Sequence, residues 1–153
     1  MKWTILLSFI VSSFIGTAAG TTKTLAQCSC EPNLTLQEHF QRSDAVFVGK
    51  LIEATKIRQE TANGYDVVIK FEVKRAWKRD LERFVTVIEH NGSTEGFAKG
   101  AEWLLYAFED KTGTLQISRG CCSRTKPLPV AGRQGDLKGF EKIGARPKAI
   151  LGN

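Results

Sequence analysis

Read from its amino end, the chain opens on an apolar stretch, Trp3 to Gly16, broken only by Thr and Ser. The positive start Met1-Lys2 precedes it and the small residues Thr17-Ala18-Ala19-Gly20 follow. That order reads as a secretory leader, and about 14 apolar positions fall short of the roughly 20 that span a bilayer. Thr24-Leu25-Ala26 offers a cleavage site, so residues 1–26 are set apart from the fold. Beyond it, Thr35 and Glu38 have capping-box spacing and Leu36 and Phe40 helical spacing, which predicts a short helix to about Arg42. Ser43-Asp44 breaks it. Ala45-Val46-Phe47-Val48-Gly49-Lys50-Leu51-Ile52 is then an apolar run of strand length, continuing as a more polar strand toward Gln59, with Gly49 permitting a bend.

The clearest alternation follows the turn signal Asn63-Gly64: Val67, Ile69, Phe71 and Val73 on one face, Val68, Lys70, Glu72 and Lys74 on the other. This predicts a strand with one face buried. Lys78-Arg79-Asp80 interrupts it, Phe84 to Glu89 is a further β-branched run, and Asn91-Gly92-Ser93 turns the chain. Glu102 to Phe108 reads as a buried strand, hairpinned through Lys111-Thr112-Gly113 into Leu115 to Ser118. Five strands separated by turns predict a small closed antiparallel barrel, because closure removes exposed edges. Asp136 to Ile143 predicts a terminal helix packing Leu137 and Phe140 on the barrel. Residues 145–153 are expected to be a flexible tail.

Composition narrows the class. The 153 residues carry a formal charge of +6, with 42% apolar and 25% charged residues, which suits one globular domain and excludes disordered, collagen-like and coiled-coil chains. The leader takes Lys2 and Lys23 with it, so the domain is mildly basic. Lys74-Arg75, Lys78-Arg79 and Lys138 to Lys148 read as solvated surface, and export argues against a nucleic-acid partner. His39 and Glu38 diverge in direction on their helix and read as surface residues. No nucleophile, base and orienting group are brought together by spacing, so the chain does not read as an enzyme.

Four cysteines form two pairs, Cys28-Ser29-Cys30 and Cys121-Cys122. In an exported chain they read as disulfides. Bonds within either pair would close strained rings, so bonds between the pairs are favoured, in either of two arrangements. A zinc site of the chain's own is disfavoured, since the pairs lack finger spacing and His39 and His90 have no partner at ligand distance. No cofactor is called for. A lipid anchor on Cys28 would need a small residue where Gln27 stands.

Several blocks in order carry a resemblance. They are Cys28-Ser29-Cys30-Glu31-Pro32; Phe40 with Ser43-Asp44-Ala45-Val46-Phe47-Val48-Gly49-Lys50; and Tyr65-Asp66-Val67-Val68-Ile69-Lys70-Phe71-Glu72-Val73 ending in Trp77-Lys78. Phe97 with Gly100 before Trp103-Leu104-Leu105, and Leu115-Gln116-Ile117 before Cys122-Ser123, complete the set. Together they resemble the inhibitory domain of the tissue inhibitors of metalloproteinases, a compact netrin-like domain, over roughly Cys28 to Ser123.

The resemblance implies a mainly β fold, a five-stranded antiparallel OB-fold barrel with short flanking helices, spanning 27–144. It implies a secreted monomer that inhibits zinc metalloendopeptidases, the zinc being the partner's. The free amine and carbonyl oxygen of Cys28 would chelate that zinc, Ser29 would point into the specificity pocket, and Cys30, Glu31 and Pro32 would continue the wedge. The amine, ordinarily of pKa about 8, must be neutral to donate. The same alignment implies disulfides Cys30–Cys122 and Cys28–Cys121. The chain departs from the animal inhibitors in lacking a third disulfide and the carboxy-terminal subdomain. Cleavage after Ala26 would leave Gln27 ahead of the chelating cysteine. In that case the expectation is a non-inhibitory extracellular netrin-like module that holds a protein or polysaccharide.

Overall fold

The computed structural model describes residues 34–58, 65–90, 92–119 and 122–152, of Arg58 only the backbone. The leader, Cys28 to Pro32, the Asn63-Gly64 turn, Asn91 and Cys121 lie outside the described residues.

The first helix, α1 (Leu36–Arg42), begins as its capping box dictates: Glu38 N–H donates to Thr35 Oγ1 at 3.2 Å and Thr35 N–H donates to Glu38 Oε2 at 2.7 Å. Its far end is closed from outside. Lys78 Nζ donates to the Phe40 carbonyl at 2.8 Å and to that of Gln41, placing a cation on carbonyls that lack intrahelical partners.

The strands β1 (Ala45–Arg58), β2 (Tyr65–Ala76), β4 (Phe84–Glu89), β5 (Glu102–Glu109) and β6 (Leu115–Gln116) close a barrel in the order β1-β2-β4-β6-β5, with β5 returning to β1. It is an OB-fold-like barrel with short helices at its side. One seam is parallel: Val87 pairs with Leu115 and Ile88 with Gln116. The expectation of antiparallel strands throughout is corrected here, and the reason is parity. Neighbours that alternate in direction around a closed ring must be even in number, so a ring of five contains at least one parallel seam.

The patterning shows which strands face what. Along β2, Val67, Ile69, Phe71 and Val73 point inward, as their alternation predicts. They meet Phe47 and Leu51 of β1, Val85 and Val87 of β4, Leu105 and Ala107 of β5 and Leu115 of β6. By contrast, Ala45 to Val48 and Trp103 to Ala107 are buried at every position. The β1–β5 pair is covered on both faces, which is why it reads as continuous apolar runs. Outside the barrel, Val46, Val48, Leu104 and Tyr106 meet Trp77, Ala131 and Phe140 in a second cluster, with Leu36, Phe40 and Leu137 at its margin. Trp77 and Phe140 pack with tilted rings, their centroids 4.7 Å apart.

Gly49 stands at a register shift between β1 and β2, where a Cβ would lie 2.9 Å from Phe71 Cβ. The bend expected there is a β-bulge that lets two backbones approach.

Four small elements complete the fold: β3 (Leu81–Glu82), β7 (Lys126–Pro127), α2 (Leu128–Arg133) and β8 (Ile150–Leu151); α3 (Asp136–Lys142) is the expected terminal helix. Strand β7 pairs with the edge of β5 at Trp103 and Leu104. The described part of the expected tail lies along the barrel. Lys148 N–H donates to the Ala76 carbonyl at 2.8 Å, Ala149 N–H to Asp80 Oδ1 at 3.0 Å, and β8 pairs with β3. Backbone hydrogen bonds, which apolar periodicity cannot foretell, strap these residues down.

Candidate functional site

Of the residues expected to act or to anchor, Cys28, Ser29, Cys30, Glu31, Pro32 and Cys121 lie outside the described residues. Cys122 is described, solvent-exposed and disulfide-bonded, its partner cysteine lying outside them. Leu34, where the described chain begins, and Cys122 line the same cleft of about 380 Å³. Two positions 88 apart in sequence, one leading from the expected wedge and one from the expected anchor, are thereby brought together.

The cleft is built from three directions. Leu34 and α1 supply Leu34, His39 and Arg42; β5 supplies Tyr106 and Phe108; the segment after β6 supplies Ser118 and Cys122 to Arg124. Thr125 fixes that last segment against the barrel, its Oγ1 accepting from Tyr106 N–H at 3.1 Å and donating to the Tyr106 carbonyl at 3.3 Å. Behind the cleft, Asp136 at the start of α3 is buried. Its Oδ1 accepts from Arg124 at 2.7 Å, and its Oδ2 lies 3.0 Å from Lys126 Nζ, a contact of charge without the alignment of a hydrogen bond.

Charge in the cleft is positive on balance, since Arg42, Arg124 and Lys126 face one carboxylate. The titrations follow. Burial, then the Arg124, Lys126 and Arg42 charges, holds the His39 imidazole below its ordinary range. Burial, and secondarily the Asp136 charge, pushes the Tyr106 phenol up. The Tyr106 hydroxyl has the Arg124 guanidinium beside it but, among the described residues, no aligned hydrogen bond, and Arg124 Nε is likewise buried without one.

His39 is thus half-buried, edge-on to Tyr106 with centroids 6.1 Å apart, a correction to its expected surface placement; Glu38 is exposed and serves the cap. Sequence reasoning missed Tyr106, Arg124 and Asp136. Only a register that places Tyr106 on the outward face of β5 would have marked it, and Asp136 resembles an ordinary acid in the first turn of a helix.

A second polar cluster sits at one end of the barrel. Arg119 Nε donates to both Glu89 oxygens at 3.0 Å, its Nη1 donates to the Glu95 carbonyl at 2.8 Å, and Nη2 reaches that of Ser93. Its guanidinium lies 3.9 Å from the Phe97 ring centroid. The buried carboxylate is answered in full and the loop before β5 is pinned, which is a structural task. Among the described residues no group of three or more His, Cys, Asp or Glu side chains is placed to hold a metal ion, and no helix is long and apolar enough to cross a membrane. A scan of protein-family models and a search of curated proteins find no match to this chain.

Proposed function

We propose that this chain is a secreted inhibitor of zinc metalloendopeptidases, acting as the resemblance to the tissue inhibitors of metalloproteinases implies. The Cys28 amine and carbonyl oxygen chelate the partner's zinc, Ser29 enters the specificity pocket, and Cys30, Glu31 and Pro32 extend the wedge. A terminus that chelates must be held rigid before it binds, or its ordering cost is taken from affinity. The observation that carries the reading is therefore the meeting of Leu34 and disulfide-bonded Cys122 at one cleft on the barrel. The disulfides proposed, Cys30–Cys122 and Cys28–Cys121, supply the clamp. The OB-fold-like barrel agrees with the family's fold, although fold alone assigns no activity.

The test is the intact mass and amino-terminal sequence of the secreted protein, followed by assay against zinc endopeptidases. A start at Cys28 with a free amine, and inhibition, are expected. A start at Gln27, or a lipid on Cys28, would overturn the reading.

One observation favours a second reading, a non-inhibitory binding module. Phe84 and Tyr65 are exposed on the barrel's outer face, each with a cation at its ring: Lys70 Nζ at 5.3 Å and the Arg83 guanidinium at 5.4 Å for Phe84, Lys56 Nζ at 4.2 Å for Tyr65. Aromatic faces edged by cations suit an acidic protein or polysaccharide. Phe84→Ala weakens such binding and leaves protease inhibition untouched, so the variant separates the two.

A further inference from the structure

The cleft between α1, β5 and the Cys122–Arg124 segment has walls and donors but, among the described residues, no acceptor for two of them, and we propose that it binds a small carboxylate with an apolar body. The hydrocarbon walls come from Leu34, Phe108 and the Tyr106 ring. At about 380 Å³ the space lies in the usual range of about 300–1,000 Å³ for small-molecule sites. Tyr106 is 1% exposed and, among the described residues, its hydroxyl makes no aligned hydrogen bond, the Arg124 guanidinium lying beside it; the Arg124 Nε atom is buried and without a partner there. Both belong to residues lining the cleft. Buried donors are nearly always answered, so a pair left unanswered just behind a cleft wall points to an acceptor supplied from outside.

Two donors match the two oxygens of one carboxylate, and the surroundings select for the charge. Asp136 already faces Arg124 and Lys126, which leaves the cleft positive with Arg42 at its rim. Among the described residues that line the cleft none is acidic. The apolar walls disfavour a fully hydrated dianion and suit a monoanion with a hydrocarbon tail. The site shares its cleft with the clamp of the proposed inhibitor but does not rest on that reading, and its test does not involve a protease.

The probe is octanoate, titrated into the full secreted protein by calorimetry and by NMR of the Arg124 Nε–H, with octanamide and acetate as controls. Saturable one-to-one binding of octanoate is expected, at least tenfold tighter than either control, with the Arg124 resonance shifted. Tyr106→Phe removes a hydroxyl that makes no aligned hydrogen bond among the described residues, so its melting temperature should hold while octanoate binding weakens at least fivefold. Arg42→Gln, at the exposed rim, should weaken octanoate but not octanamide, and serves if Tyr106→Phe perturbs the fold. Absence of octanoate binding, equal binding of octanamide, or undiminished binding by both variants would overturn the proposal.

Discussion

Two glycines illustrate how differently one methyl group is received in this protein. At Gly49 a Cβ meets Phe71 Cβ at 2.9 Å, an atom fixed to the backbone of the neighbouring strand in the barrel core. Neither strand can yield without disturbing the β1–β5 and β2–β4 ladders. Gly49→Ala should therefore destabilise by about 1–3 kcal/mol in denaturant unfolding. At Gly139 on α3 the contact is with Leu36 Cδ2 at 2.6 Å, the free end of a side chain only partly buried. There a rotamer change relieves the clash, and alanine gains about 1 kcal/mol of helix propensity over glycine. Gly139→Ala should cost much less than Gly49→Ala, and an equal loss would show that Leu36 is not free to move.

His39 adds a pH dependence at the same scale. Its imidazole is held below the ordinary value of 6.5 by burial and by Arg124, Lys126 and Arg42. The unfolded chain therefore binds this proton more readily than the folded one. The contribution is full above about 6.5 and is lost as pH falls through the lowered folded value. His39→Phe should flatten the melting temperature against pH just below that point, while a profile identical to the parent's would refute the assignment.

At the scale of elements, the turn between β5 and β6 rests on Asp110. Its Oδ1 accepts from Thr112 N–H at 2.8 Å and Thr114 N–H at 3.0 Å, and Oδ2 accepts from Gln116 Nε2 at 2.9 Å. These bonds, the Thr112 hydroxyl first among them, draw the carboxyl down from 3.8 to about 2. Stability from this group persists above about pH 4 and drains away as pH falls toward 2. Asp110→Ala should lower amide protection from hydrogen exchange over residues 110–117, and a uniform change across the chain would refute a local role. Because β6 is two residues long and forms the parallel seam, loosening its turn loosens the closure of the barrel.

Elements of this kind also mark where sequence reading stopped. The capping box of α1, the alternation of β2 and the continuous runs of β1 and β5 were legible because burial imposes a period or suspends one over many residues. β3, β7 and β8 span two residues each and exist through backbone hydrogen bonds that any side chain permits. Helix α2 has only six residues and carries Gly132 in place of a helix former, while Pro129 stands in its first turn, where no N–H is needed; Ala131 against the second cluster holds it in place. The cleft was illegible for another reason. Its residues come from positions 34 to 42, 106 to 108 and 118 to 124, and only the closed register of β5 against β1 makes them neighbours.

For the whole molecule, the proposed chelation makes a strict demand on chain length. An alanine inserted before Cys28 moves the amine by one residue and should abolish protease inhibition while leaving the melting temperature unchanged. Inhibition at parental strength by that variant would sink the mechanism, though not the carboxylate site, which the octanoate titration tests alone.

The pairing of Ala45 with Ala107 and of Lys50 with Glu102 also sets an order of events for a chain delivered amino end first. Strands β1, β2 and β4 can fold as a meander once residue 89 has emerged. One edge of β1 then stays open until β5 arrives, and contacts this remote in sequence form slowly. Through that interval the apolar run from Ala45 to Val48 is a template for the wrong partner. Crowding while the chain emerges should therefore harm this protein more than crowding of the finished barrel, and a chaperone that holds β1 would act early and only once.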